Sequence, residues 1–135
     1  MHRISGPLLD RIDLQVEVQS VKYSNISDTN KGESSKIIKQ RVNKARKIQE
    51  NRYKKYNIFS NSDLTPSLIE KYCKLDDESK TILEKAFNKL NLSSRAYNRI
   101  LKVARTIADL SGRENIDKGD IAEAIQYRSL DKKYF

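Results

Sequence analysis

Apolar residues recur at helical spacing through most of the chain and at strand spacing in one place. Residues 11–18, Arg-Ile-Asp-Leu-Gln-Val-Glu-Val, alternate strictly, with Ile12, Leu14, Val16 and Val18 on one side and Arg11, Asp13, Gln15 and Glu17 on the other. That period predicts a half-buried β-strand. One strand cannot satisfy its own backbone, so it needs a partner that the rest of the chain does not offer, or it frays. Residues 19–33, rich in Ser, Asn, Asp, Lys and Gly, predict a mobile linker.

The remainder predicts helices. A long one runs from about Ser34 to Tyr56, with Ile38, Val42, Ala45, Ile48 and Tyr56 near one face. A short one follows Thr65, an N-cap, with Pro66 at the first helical position, and carries Leu68, Ile69 and Tyr72. A third starts at Asp76, buries Ile82, Leu83, Ala86, Phe87 and Leu90, and stops at Asn91 in a left-handed conformation. A fourth spans Ser93 to Gly112, with the stripe Tyr97, Ile100, Leu101, Ala104, Ile107 and Ala108. The fifth has Asp117 as N-cap with Asp120 reaching back, Ile116 and Ile121 as a staple, and Ala122, Ala124 and Ile125 inward. The predicted fold class is therefore all-α: a bundle of four to five helices, preceded by one orphan strand and a linker. The tail Asp131–Phe135 is charged, with two aromatics.

Composition narrows the function classes. The 135 residues are 37% hydrophobic and 33% charged, which excludes wholesale disorder. No apolar stretch approaches the roughly 20 residues of a spanning helix, and residues 1–20 lack a signal-peptide pattern. No membrane association is expected. A lone cysteine, Cys73, fits a reducing, cytoplasmic setting. His2 is the one histidine and lies far from Cys73, so no metal site is expected. The four glycines, Gly6, Gly32, Gly112 and Gly119, form neither a phosphate loop nor a dinucleotide fingerprint.

Charge points toward polyanions. The net charge is +9 and the isoelectric point about 9.6. Residues 36–55 hold nine cations against Glu50 alone, a balance of +8. This arc, including Lys44, Arg46 and Lys47, reads either as a solvated helix face or as a phosphate-contacting nucleic-acid surface, with Tyr53 and Tyr56 as candidate stacking faces. A second stripe, Arg95, Arg99, Lys102 and Arg105, recurs on the fourth helix opposite its apolar side. Arg95 stands apart, because a cation in a first helical turn opposes the dipole and suits a bound phosphate. From spacing alone Arg11 is a charged residue at a strand start.

Three segments resemble known proteins. Ser5-Gly-Pro-Leu-Leu-Asp-Arg-Ile-Asp13 resembles the end of the ATPase core in AAA+ proteins of the magnesium-chelatase and replicative-helicase branch. Residues 92–110, which include Ser-Ser-Arg-Ala-Tyr-Asn-Arg, resemble the helix that carries the sensor-2 arginine. Residues 121–135 resemble the C-terminal end of the ComM/YifB family of magnesium-chelatase-like competence proteins. The motifs stand in family order.

The resemblance implies a division into 1–18, the end of an AAA+ core, 19–33, a linker, and 34–135, a C-terminal helical lid. It implies a longer parent whose phosphate loop and magnesium-binding motif precede Met1, so that ATP and magnesium belong to the parent and none is expected in this part alone. It implies that Arg11 is an arginine finger acting in trans and Arg95 the sensor-2 residue, with Arg99 a weaker nucleotide-sensing candidate. The implied partners are identical subunits in a ring, expected to be a hexamer, and DNA, remodelled by ATP-driven branch migration in natural transformation. The rival readings are an ATPase subunit of true magnesium chelatase and a stand-alone basic helical module that binds nucleic acid.

Overall fold

A computed structural model describes Leu8, residues 11–20 and residues 32–128. Residues 32–128 hold five α-helices: α1 (Ser35–Tyr53), α2 (Pro66–Tyr72), α3 (Asp77–Leu90), α4 (Ser94–Leu110) and α5 (Lys118–Gln126), with a 3-10 turn at Asn61–Asp63 between α1 and α2. Helix starts follow local capping chemistry except at α2, where the Thr65 hydroxyl, read from the sequence as an N-cap, meets the Ser67 hydroxyl at 3.2 Å and makes no capping bond. Ser34, Asp76 and Ser93 accept the amides of Ile37, Ser79 and Ala96, and Asp117 and Asp120 close a capping box on α5. Asn91 ends α3 at φ 42°. Gly112, at φ 70°, lets the chain reverse after α4, so that the Arg113 amide reaches the Ala108 carbonyl at 2.9 Å.

Helix α4 is the hub. Ala96, Ile100, Leu101, Ala104 and Ala108 along it are buried, against Ile121 and Ala124 of α5, Ile69 of α2 and Tyr53 of α1. Leu83 of α3 joins the same core, and α3 packs on α5.

The alternating segment forms no strand. Among residues 11–20 none is in a strand, and its apolar side is exposed, from 39% at Ile12 to 86% at Val18. The period of two is present, but among the described residues no neighbouring strand offers the donors and acceptors a ladder needs. The segment instead lies across the bundle, where the Gln15 amide donates to the Tyr127 carbonyl at 2.8 Å.

Helix α1 also departs from its predicted face. Residues 35–44 are all exposed, including Ile38 and Val42, and the buried positions are Ala45, Gln49 and Tyr53. The buried positions of α1 all lie in its C-terminal half, where Arg52 bonds to Asp109 of α4, and the apolar positions before it stay outside the core of the described residues. Tyr53, not Tyr56, enters the core, because α1 ends there and Asn57 turns the chain at φ 53°. Ala122 is exposed rather than inward. The predicted tail beyond Arg128, most of the linker and all of Ser5–Asp10 except Leu8 lie outside the described residues.

Candidate functional site

The polar side of α4 faces a groove of about 710 Å³, closed by the 3-10 turn, the start of α2, the end of α5 and residues of the 13–16 segment. Arg95, Arg99 and Lys102 line it. Arg95 is exposed in the first turn of α4 and makes no hydrogen bond or ion pair with any described residue. Its free fork stands at the positive end of the α4 dipole, an arrangement that folding does not reward and an anion would. Lys102 donates to the Ser62 carbonyl at 2.8 Å and so ties the 3-10 turn to α4.

Arg99, one turn after Arg95, is committed elsewhere. Its guanidinium donates to the Arg11 carbonyl and pairs with Asp13. The structure thereby draws Arg11 to the helix that bears Arg95. The Arg11 side chain itself is exposed. Lys44, Arg46 and Lys47 are also exposed, but they lie on α1 and do not line the groove. Tyr53 is fully buried, so stacking on a base is closed to it. Tyr56 is half-buried and accepts from Lys71 at 2.7 Å, a bond that pulls its hydroxyl below the ordinary range. Cys73 is buried, and desolvation pushes its thiol up to about 11, which leaves it a poor nucleophile.

Arg105, read from its spacing as the fourth member of the solvated stripe, is 3% exposed. It donates to Asp109 at 3.2 Å and to the carbonyls of Glu114 and Arg113 at 2.7 and 2.9 Å. Asp109 also accepts both arms of Arg52, at 2.9 and 2.5 Å, and the Asn61 amide at 2.9 Å. Asn61 in turn accepts from Tyr53 at 2.6 Å and donates to Thr106 at 2.9 Å. Burial pulls the Arg52 guanidinium down, but the bonds to Asp109 and Tyr53 outweigh it, and the group is raised overall. This network joins α1, the 3-10 turn and α4. A second one joins the end of α4 to α5: Arg113 donates to Asp120 at 2.8 and 2.6 Å and also pairs with Asp117. The pairing of Arg105 with Asp109 four residues on was a visible signal in the sequence; the contribution of Arg52, 57 residues from Asp109, was not.

Known proteins are similar to this chain in sequence. The family model for the magnesium chelatase subunit ChlI C-terminal domain matches residues 32–128. Competence protein ComM of Haemophilus influenzae is 47% identical over 131 residues, 96% of this chain and 25% of that protein. YifB of Escherichia coli, an uncharacterized protein, is 42% identical over 133 residues, 98% of this chain and 26% of its own length. An uncharacterized protein of Mycobacterium bovis is 31% identical over 126 residues, 93% of this chain and 25% of its own. The chain therefore spans about a quarter of the length of the curated relatives it matches.

Proposed function

The chain belongs to the magnesium chelatase ChlI C-terminal family, and from that premise we propose that it is the helical lid, with the arginine-finger segment, of a ComM-type AAA+ ATPase. The parent assembles as a hexameric ring of identical subunits in the cytoplasm and couples ATP hydrolysis to branch migration of DNA in natural transformation. The observation that carries the reading is Arg95: a free guanidinium at the start of the central helix, beside an open groove.

The residues present suit part of a nucleotide site. A planar, permanently charged fork pairs with two phosphate oxygens, and the α4 N-terminus adds to its field. Magnesium belongs, in this reading, to the nucleotide and to the parent's upstream motif. The four dispersed glycines likewise leave the phosphate loop to the rest of the parent. Bound ATP supplies the scissile anhydride.

This chain's residues then do three things. Arg95 holds the γ-phosphate of its own subunit's nucleotide and releases it after hydrolysis. Helix α4 passes that difference to every element packed on it. Arg11, exposed on the segment across the groove, reaches the neighbouring subunit's nucleotide and stabilises charge on the transferring phosphoryl group. Arg99 already pairs with Asp13 and takes no phosphate in this reading. The exposed cations of α1, Lys44, Arg46 and Lys47 among them, contact DNA phosphates without regard to sequence.

The two arginines separate in kinetics. In the full-length protein Arg95→Ala should weaken ATP binding about 10- to 100-fold, the worth of a charged hydrogen-bonding group. Arg11→Ala should leave affinity within about twofold and lower kcat by about 10³ or more. Equal loss of affinity in both variants, or undiminished hydrolysis in either, overturns the reading.

A further inference from the structure

Residues 11–15 form no strand, and their backbone carbonyls still need donors. Here two arginines supply them at consecutive residues. Arg99 of α4 donates to the Arg11 carbonyl and pairs with Asp13. Arg128, just past the end of α5 and 2% exposed, donates to the Ile12 carbonyl at 2.9 Å. A third tie, from the Gln15 amide to the Tyr127 carbonyl at 2.8 Å, fixes the segment beyond them. The segment is thus bound to α4 and to the end of α5 at three points within five residues, although its own side chains are mostly exposed.

We propose that Arg99 and Arg128 are positioning residues for Arg11: they fasten the finger segment to the lid, so that the aim of Arg11 toward the neighbouring subunit follows the position of α4. The inference rests on the reading of Arg11 and Arg95 given above. Its physical content is the spacing on α4. Arg95 and Arg99 are one turn apart on the same face, so a shift of the helix start caused by phosphate at Arg95 is a shift of Arg99. Arg99 grips the peptide whose side chain is the finger, so the shift reaches Arg11 through the bonds that Arg99 makes to the Arg11 carbonyl and to Asp13. The occupancy of one subunit's site thereby sets how well the next subunit's site is completed. Misplacing a catalytic group by about 1 Å costs on the order of 10² in rate.

The test uses the full-length ring and its subunit mixing. Arg99→Ala should keep ATP affinity within about twofold and lower kcat about 10²-fold, with Arg99→Lys, which retains a charged donor, recovering part of the loss. Because the defect sits in the donated element, Arg99→Ala subunits mixed with Arg95→Ala subunits should regain activity, and mixed with Arg11→Ala subunits should not. Asp13→Asn, which leaves α4 untouched, should give the same pattern in milder form. Amide exchange at Gln15 in the full-length protein should quicken at least about 10-fold in Arg99→Ala, independent of turnover. Recovery of Arg99→Ala with Arg11→Ala would place Arg99 in its own subunit's site and overturn the inference while leaving the reading intact. So would full activity in Arg99→Ala. Failure of Arg11→Ala and Arg95→Ala to complement each other would remove the reading, and the inference with it.

Discussion

Replacing Asp109 by alanine tests whether the buried network holds the bundle together. Asp109 is 1% exposed and receives two bonds from Arg52, one from Asn61 and one from Arg105. Alanine removes the carboxylate but leaves Arg105 charged and 3% exposed. Breaking a buried pair from one side costs about 3–5 kcal/mol. Two features place this case at the lower end. Arg105 keeps its carbonyl partners at 2.7 and 2.9 Å, and the Arg52 side chain, 15% exposed, can turn toward water. The expected loss is therefore about 3 kcal/mol. For a domain of this size that lowers Tm by about 12–24 °C. Thermal and urea unfolding followed by circular dichroism measure it. Arg52→Met and the double variant complete a cycle, in which a coupling of at least about 1 kcal/mol is expected because the two side chains share two bonds. A loss below about 1 kcal/mol in Asp109→Ala would refute the reasoning, since the carboxylate would then be worth no more than an ordinary hydrogen bond.

Stability should also fall in acid through the helix caps. Asp76 is held below its ordinary 3.8 by its hydrogen bonds with Ser79, and Asp117 below the same value first by the Asp120 amide. A depressed carboxyl favours the fold when ionised, so the contribution is complete above the ordinary range and is lost as pH falls through about 4 and below. Tm should be flat from about pH 7 to 5 and then decline; Asp76→Asn, which still caps, should decline less, and superimposable curves would contradict this. For the α1 surface, DNA affinity of the full-length protein should drop steeply with salt, and reversing Lys44, Arg46 and Lys47 to Glu should shrink the slope of log K against log salt by about 0.9 per lost phosphate contact. An unchanged slope would make that surface a solvated face only.

The helices were legible because their determinants are local. The starts read at Ser34, Asp76, Ser93 and Asp117 and the stop at Asn91 each depend on residues within one turn, and all are observed, whereas Thr65 stands at its helix start without a side-chain capping bond. What failed depends on distant partners. The alternation of 11–18 is real, yet strand formation is decided by a neighbour that the described residues do not supply. Ile38 and Val42 have the spacing of a core face, but the bundle does not extend over the first half of α1. Arg105 has the spacing of a solvated stripe, and its burial follows from carbonyls that only the turn at Gly112 brings back. Of the site, Arg95 was marked by its place in a first turn. The hold of Arg99 on a peptide 88 residues away leaves no local trace.

The central claim, that Arg11 and Arg95 serve one reaction from adjacent subunits, is tested most directly by mixing Arg11→Ala and Arg95→Ala subunits of the full-length protein and measuring ATP hydrolysis at fixed total concentration. At ATP near the wild-type Kd each variant alone should hydrolyse far more slowly than the wild type. In a mixed ring some interfaces receive intact Arg11 from one subunit and intact Arg95 from the other, so activity should rise well above that of either parent and peak near equal proportions. Co-assembled rings that stay inactive at every ratio would contradict the account, because the two arginines would then share one subunit's site or touch no nucleotide at all.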